Sequence, residues 1–118
     1  MKISKIKELL EAEVLSGEDL IEGEVHSACG CDMMSDVLAF VKDQAVLLTG
    51  LCNPQVVRTA TMMDMRCIVF VRGKRPSDDV VELARDSGIA VLATDMRMYP
   101  ACGILYQNGL HAGECSNE

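Results

Sequence analysis

Three almost continuous apolar stretches, at residues 45–49, 67–71 and 89–93, divide the second half of the chain. They lack the alternation of half-exposed strands, which predicts strands buried on both faces of a mainly parallel sheet. Each is followed by a segment whose apolar residues recur at helical spacing. Strand and helix therefore alternate three times, a pattern that specifies parallel strands joined by right-handed crossovers.

Polar residues at the helix ends support these assignments. Asn53 is placed as the N-cap of a helix that has Pro54 at its first position. Ser77 is placed as the next N-cap, and Gly88 suits the left-handed position after that helix. A final helix is predicted from about residue 98 to 107.

The first 30 residues are less regular. An amphipathic helix is predicted at 3–12, a short extended piece at 14–15, one helical turn at 18–21 and a strand at 24–29. These segments add a strand, and at least one helix, to the units that follow.

The next helix is predicted to begin after Asp32, which has the side chain of an N-cap. Its apolar face comprises Met33, Met34, Val37, Leu38 and Val41. The strand and helix within 23–41 are expected to form a fourth βα unit of the same sheet.

The 118 residues therefore predict one three-layer α/β domain over 1–110, with a mainly parallel four- to five-stranded sheet built from successive βα units. The tail from 111 to 118 has no periodicity, and we expect it to be mobile.

The charge balance limits the partners. With 11 basic and 18 acidic residues the net charge is −7, which argues against nucleic acid or an anionic membrane as a partner. The N-terminus has no secretory h-region, and no apolar run spans a bilayer. We therefore expect a cytoplasmic protein.

Six cysteines in a cytoplasmic protein are expected to be reduced thiols. Cys29 and Cys31 would face the same side of an extended segment, and Cys52 would approach from a neighbouring loop. Three thiolates there would suit zinc or part of an iron–sulfur cluster, although no Cys-x2-Cys pair occurs. Cys67 and Cys102 have the pattern of small apolar residues.

A ligand site is predicted where the loops after the parallel strands meet, because helix N-termini there present unpaired N–H groups. The candidate binding residues are Asp32, Thr49, Asn53, Arg72, Gly73, Lys74, Thr94 and Asp95. Their hydroxyls, cations and glycine would suit a small anion or nucleotide. The alternative is that these residues have only structural roles. Asp32, Asn53 and Ser77 would then be helix caps, Gly73 would form a turn, Asp95 would be an exposed loop carboxylate, and the cations Arg72, Lys74 and Arg75 would be solvated.

Catalytic patterns are missing from the sequence. No Gly-x4-Gly-Lys-Ser/Thr loop and no Gly-x-Gly-x-x-Gly follow any predicted strand, and no Cys-His pair is indicated.

Five methionines cluster near the ends of predicted elements. We expect them to fill the core, and the alternative is that they form a contact surface for a second subunit. They are Met62, Met63, Met65, Met96 and Met98.

Five segments together resemble the DRTGG domain family over about residues 1–110. They are CDMMSDVLA (31–39), VLLT (46–49), GKRPS (73–77), GIAVLAT (88–94) and GILY (103–106), and the Asp-x-x-Ser-Asp-Val-Leu block is the most specific. The resemblance implies an α/β fold like the N-terminal domains of bacterial HPr kinase/phosphatase and of Mur ligases such as MurF. It also implies a regulatory or dimerising module, found alone, beside CBS domains in pyrophosphatases, and in some phosphate acetyltransferases.

The name-giving motif is altered. Leu51 and Cys52 stand where the family often has Asp-Arg, and of the expected Thr-Gly-Gly only Gly73 is kept, after Val71 and Arg72.

Taken together, the sequence predicts a non-catalytic regulatory module without a cofactor, which forms a homodimer and binds a small anion or nucleotide. The alternatives are a dimerisation or protein-interaction module without a ligand, and a zinc or iron–sulfur redox accessory protein.

Overall fold

The computed structural model describes residues 1–40 and 44–112. Within them the chain forms five strands, five α-helices and one short 3-10 helix (Glu18–Leu20). The helices are α1 (Ile3–Leu10), α2 (Met34–Phe40), α3 (Pro54–Met62), α4 (Asp78–Asp86) and α5 (Met98–Gln107). The strands are β1 (Glu13–Ser16), β2 (Ser27–Gly30), β3 (Ala45–Thr49), β4 (Cys67–Phe70) and β5 (Ala90–Ala93).

All five strands form one sheet in the order β1-β5-β4-β3-β2. The strands from β2 to β5 run parallel, with Leu48 paired with Val69 and Val69 with Leu92. The short segment predicted at 14–15 is the centre of β1, which pairs antiparallel with β5 at the sheet edge. The predicted mainly parallel sheet, including its fourth βα unit, is confirmed.

The sheet separates two apolar cores, because successive side chains of a buried strand point to opposite faces. On one face α1 and α5 cover alternate strand residues such as Val46 and Leu48. On the other face α2, α3 and α4 cover residues such as Leu47 and Phe70. Helices on both faces of the sheet give the three layers expected from the sequence.

The helix ends agree with the sequence at some positions and not at others. Asn53 is the N-cap of α3, and its Oδ1 accepts a hydrogen bond from the N–H of Gln55 at 3.0 Å. Gly88 follows α4 with a φ of +73°, as predicted. Ser77 occupies the N-cap position of α4 but makes no capping hydrogen bond with its side chain.

Asp32 is not the cap of α2, so that prediction is wrong. The helix begins two residues later, at Met34, and the Asp32 carboxylate bonds to the end of β3 instead. Val41, predicted to extend the apolar face of this helix, lies outside the described residues.

The methionines predicted to cluster differ in their burial. Met65 is buried between the sheet and its helices, while Met62 is 71% exposed. Cys67 is fully buried in β4, and Cys102 packs partly buried against the core under α5, as expected for small apolar side chains.

After α5 the chain returns to the sheet, where the carbonyl of His111 accepts a hydrogen bond from the N–H of Ala28 at 2.9 Å. The rest of the predicted tail, 113–118, lies outside the described residues. Among the helices that are described, none has the length and apolar character needed to cross a membrane.

Candidate functional site

The parallel strands bring the predicted loops to one edge of the sheet. Hydrogen bonding continues past the strand ends: Cys31 donates from its N–H to the carbonyl of Leu48 at 3.0 Å, and Val71 donates to Thr49 at 3.0 Å. These bonds hold the loops after β2, β3 and β4 in register. The candidate site is therefore built on the rigid sheet rather than on independent loops.

The Asp32 carboxylate joins the first two of these loops. Its Oδ1 accepts hydrogen bonds from the Thr49 hydroxyl at 2.9 Å and from the N–H of Gly50 at 2.8 Å. The Thr49 hydroxyl, which is buried, also accepts from the N–H of Leu51 at 3.1 Å. The hydroxyl predicted to meet a ligand is thus used inside the protein.

These bonds favour the charged form of Asp32. The hydrogen bond from Gly50 is the main cause that lowers the pKa of the carboxyl below its usual range, and the Thr49 hydroxyl and the positive charge of Arg72 act in the same direction. Partial burial opposes them. At neutral pH Asp32 is therefore a fixed negative charge and a poor proton acceptor.

Arg72 follows β4 in the left-handed backbone region, with a φ of +63°. Its N–H donates to the carbonyl of Met96 at 2.7 Å, and the next N–H, of Gly73, donates to the carbonyl of Thr94 at 3.0 Å. Two hydrogen bonds to the loop after β5 stabilise a backbone conformation that a non-glycine residue rarely adopts.

The Arg72 side chain lies across Gly50. A Cβ added at Gly50 would overlap the guanidinium group, with only 2.7 Å to Cζ. The guanidinium Nη2 reaches to within 3.7 Å of Asp32 Oδ2, and the two side chains are 47% and 48% exposed. The ion pair is long and half in solvent, so its contribution to stability is small.

Thr94 has the same role after β5 that Thr49 has after β3. Its buried hydroxyl donates to the carbonyl of Leu10 at 2.7 Å and accepts from the N–H of Met96 at 3.2 Å. It ties the end of α1 to the sheet. Asp95 beside it is exposed, and its Oδ1 lies 3.4 Å from where a Cβ on Gly73 would be.

The remaining predicted cations separate into two groups. Arg75 is paired with Glu13 of β1 at 3.2 Å, whereas exposed Lys74 forms no ion pair with any residue that the structure describes. Burial raises the pKa of the Cys52 thiol, and the charges of Lys74 and Arg72 oppose that rise, which places both cations near Cys52. Asn53 is occupied as the cap of α3.

The three cysteines considered as metal ligands do not converge. Within residues 1–40 and 44–112 no group of three or more His, Cys, Asp or Glu side chains could hold a metal ion. Cys31 Sγ is 3.3 Å from the N–H of Met33, while burial, followed by the neighbouring charges, raises the pKa of Cys29 to about 11. At neutral pH the Cys29 thiol is therefore protonated.

Sequence reasoning missed Gly50. Its N–H holds Asp32, and its missing side chain gives the Arg72 guanidinium its place. A glycine directly after a buried parallel strand is the available signal, since close approach of another group often requires one there.

Comparison with known proteins identifies the fold. The crystal structure of the CBS and DRTGG domains of the regulatory region of Clostridium perfringens pyrophosphatase, complexed with its activator diadenosine tetraphosphate, is similar with a TM-score of 0.72 and 17% identity. The match covers 99% of this chain and 50% of that one, so the chain spans half the length of its structural neighbour. No curated protein matches the sequence. The family model for the DRTGG domain matches residues 5–107, and the chain accordingly belongs to the DRTGG domain family.

Proposed function

We propose that this DRTGG domain is a non-catalytic regulatory module that binds a small anion or nucleotide at the carboxyl edge of its sheet. In this proposal it acts in the cytoplasm as a homodimer, and the ligand changes how it interacts with the protein that it regulates.

The observation that carries the proposal is the state of Arg72. Its guanidinium is half exposed and lies 3.7 Å from its carboxylate partner, beyond hydrogen-bond distance. Lys74, two residues further along the chain, has no ion-pair partner among the described residues. A phosphate group can offer the guanidinium two short parallel hydrogen bonds, which are stronger than this long pair with Asp32. An anion would therefore replace Asp32 as the partner of Arg72 and would also bind Lys74.

The eight predicted site residues divide by role under this proposal. Arg72, Gly73 and Lys74 contact the ligand, while Asp32, Thr49 and Thr94 hold the loops that present them. Asn53 and Asp95 border the site.

The same geometry argues against catalysis at this edge. The Thr49 hydroxyl donates to a carboxylate and the Thr94 hydroxyl donates to a carbonyl, so neither is placed to attack a substrate. The lowered pKa of Asp32 makes it a weak general base.

Nucleotides are the first ligands to test, because the regulatory region that shares this fold was crystallised with diadenosine tetraphosphate. The proposal for this chain rests on its own cations, since the two proteins share 17% identity.

A thermal-shift panel of adenine and guanine nucleotides, pyrophosphate and phosphate tests the site. A ligand at about 100 times its Kd should stabilise the native state by about 2.7 kcal/mol. Arg72→Ala and Lys74→Ala should each abolish or strongly reduce the shift. The matched control is Arg58→Ala, which removes an exposed arginine on α3 and should leave the shift unchanged. No shift with any ligand at millimolar concentration would overturn the proposal.

A module that acts by protein contact alone is the second candidate. It is favoured by exposed apolar side chains in the layer of α2 and α3, namely Met33, Leu38 and Met62. Light scattering distinguishes a homodimer, at about twice 12.8 kDa, from a monomer. A dimer that shows no thermal shift with any ligand of the panel would favour this second candidate.

A further inference from the structure

The α5 helix carries an open depression along one side, which the proposed anion site does not use. It has a volume of about 510 Å³ and is lined by Tyr99, Cys102, Gly103, Tyr106 and Gln107. The helix contains no charged residue, although the whole chain has a net charge of −7. Tyr99 is 90% exposed and Tyr106 is 63% exposed, so two of the few aromatic rings of this protein face solvent on one helix.

The spacing of the two tyrosines suits a planar ring between them. They are seven residues apart on one helix, which separates their Cα atoms by about 10.5 Å along the axis. This separation of about two turns places both tyrosines on one side of the helix, with room for a planar ring that stacks on one of them. Gly103 lies between them, and an added Cβ there would meet no atom within 4 Å, so the space above the helix is open.

One wall of the depression is held in place. The Tyr106 ring packs against the His111 imidazole, with centroids 4.2 Å apart. His111 is itself attached to β2 through its carbonyl. Gln107 adds an amide, which offers both a donor and an acceptor to the edge of a heterocycle.

The loop that precedes α5 is hydrogen-bonded to the segment that carries the cations of the proposed anion site. The helix starts directly after the loop that follows β5, and the N–H of Arg72 bonds to the carbonyl of Met96, three residues before Tyr99. Arg97, at the N-cap of α5, is exposed and carries a further positive charge. Positive charge therefore lies at the amino end of α5, and an uncharged aromatic surface continues from it.

We propose that Tyr99, Gly103 and Tyr106 form the seat of a nucleobase, so that the ligand is a nucleotide rather than a simple phosphate. The phosphates lie at Arg72 and Lys74, and the base stacks on Tyr99 over Gly103. This inference rests on the proposed function, because the cations that hold the phosphates are those of the proposed anion site.

Isothermal titration of ATP and of inorganic tripolyphosphate, which carries a similar charge without a base, tests the inference. Stacking should make ATP bind at least about fivefold more tightly than tripolyphosphate. Tyr99→Ala should remove this difference and leave tripolyphosphate binding unchanged. The matched control is Met62→Ala, which truncates an exposed apolar side chain elsewhere and should preserve the difference.

Two further measurements keep the test independent of that variant. Gly103→Leu fills the depression with a residue of higher helix propensity than glycine, and it should likewise remove the ATP preference. Because the chain has two tyrosines, NMR can follow the ring protons of Tyr99 once Tyr106→Phe has assigned them. They should shift with ATP and not with tripolyphosphate.

The outcomes separate this inference from the proposed function. Equal affinity for both ligands, or a Tyr99→Ala variant that keeps the ATP preference, overturns the nucleobase seat while the anion site stands. Binding of neither ligand overturns both proposals. A dimer in light scattering that Tyr99→Ala converts to monomer, with no ATP preference in either protein, would assign the depression to a second copy.

Discussion

The hydroxyl of Thr49 donates a hydrogen bond of 2.9 Å to Oδ1 of Asp32, across 17 residues of sequence. This contact joins the loop after β2 to the end of β3, and Gly50 adds a second bond to the same oxygen. It places a fixed negative charge 3.7 Å from the Arg72 guanidinium, in the long ion pair that the proposed anion would replace. Because the donors and acceptors are identified, the structure predicts the effects of specific substitutions.

The first prediction concerns Asp32 and pH. Its pKa is lower in the folded state than the unfolded value of about 3.9, so its contribution to the free energy of unfolding is complete above about pH 5. The contribution is lost as the pH falls through the unfolded value and towards the lower folded one. Asp32→Asn, which keeps an acceptor oxygen but loses the charge, should flatten the pH dependence of stability below pH 5 in urea unfolding.

Asp32→Ala should cost about 1 kcal/mol at neutral pH, because two hydrogen bonds are lost at a half-exposed site. Asp95→Asn is the control, since it removes an exposed carboxylate from the same edge of the sheet. An Asp32→Asn variant with the pH profile of the native protein would contradict the assignment.

The second prediction concerns the Thr94 hydroxyl. Thr94→Val should destabilise the fold by about 1–2 kcal/mol, because the carbonyl of Leu10 loses its buried donor. Thr61→Val is the matched control, since the exposed Thr61 hydroxyl bonds only within α3, to the carbonyl of Val57. Chemical denaturation should give a clearly larger loss for Thr94 than for Thr61, and equal losses would show that the contact with α1 is unimportant.

The third prediction concerns the packing of α5 on β2. A Cβ at Gly30 would lie 2.6 Å from Cys102 Sγ and 3.2 Å from Met98 Sδ, so Gly30→Ala should cost about 1–2 kcal/mol by overpacking. The double variant Gly30→Ala with Cys102→Ala removes the nearer sulfur. Its measured loss of stability should be smaller than the sum of the two single losses by about 1 kcal/mol. Additive losses would mean that the sulfur is not what excludes a side chain at Gly30.

The fourth prediction compares two glycines that each have open space for a side chain. Gly88 has a φ of +73° and no atom within 4 Å of an added Cβ, so Gly88→Ala should cost about 1 kcal/mol from backbone strain alone. Gly103 lies inside α5 with equally open surroundings, and Gly103→Ala should stabilise the protein by up to about 1 kcal/mol. Thermal unfolding should therefore move in opposite directions for the two variants, and a shift in the same direction would refute the backbone argument.

The sequence alone determined most of the architecture. Runs such as 45–49 and 67–71 are apolar throughout because parallel strands are buried on both faces, and the helices between them show their period directly. The cap at Asn53 and the left-handed Gly88 were also predictable, since each depends on a few neighbouring residues. The sequence likewise indicated that the loops after the strands meet at one edge, because parallel strands require it.

Only the tertiary structure decided what the residues at that edge do. Asp32 has the side chain of a local cap, but the hydroxyl of Thr49 and the N–H of Gly50 bind its carboxylate from another strand. Thr94 has the pattern of a ligand-binding hydroxyl, yet its partner is the carbonyl of Leu10, 84 residues earlier in the chain. Hydrophobic periodicity is a local property that sequence displays, whereas the choice of hydrogen-bond partner depends on which distant groups the folded sheet brings within 3 Å.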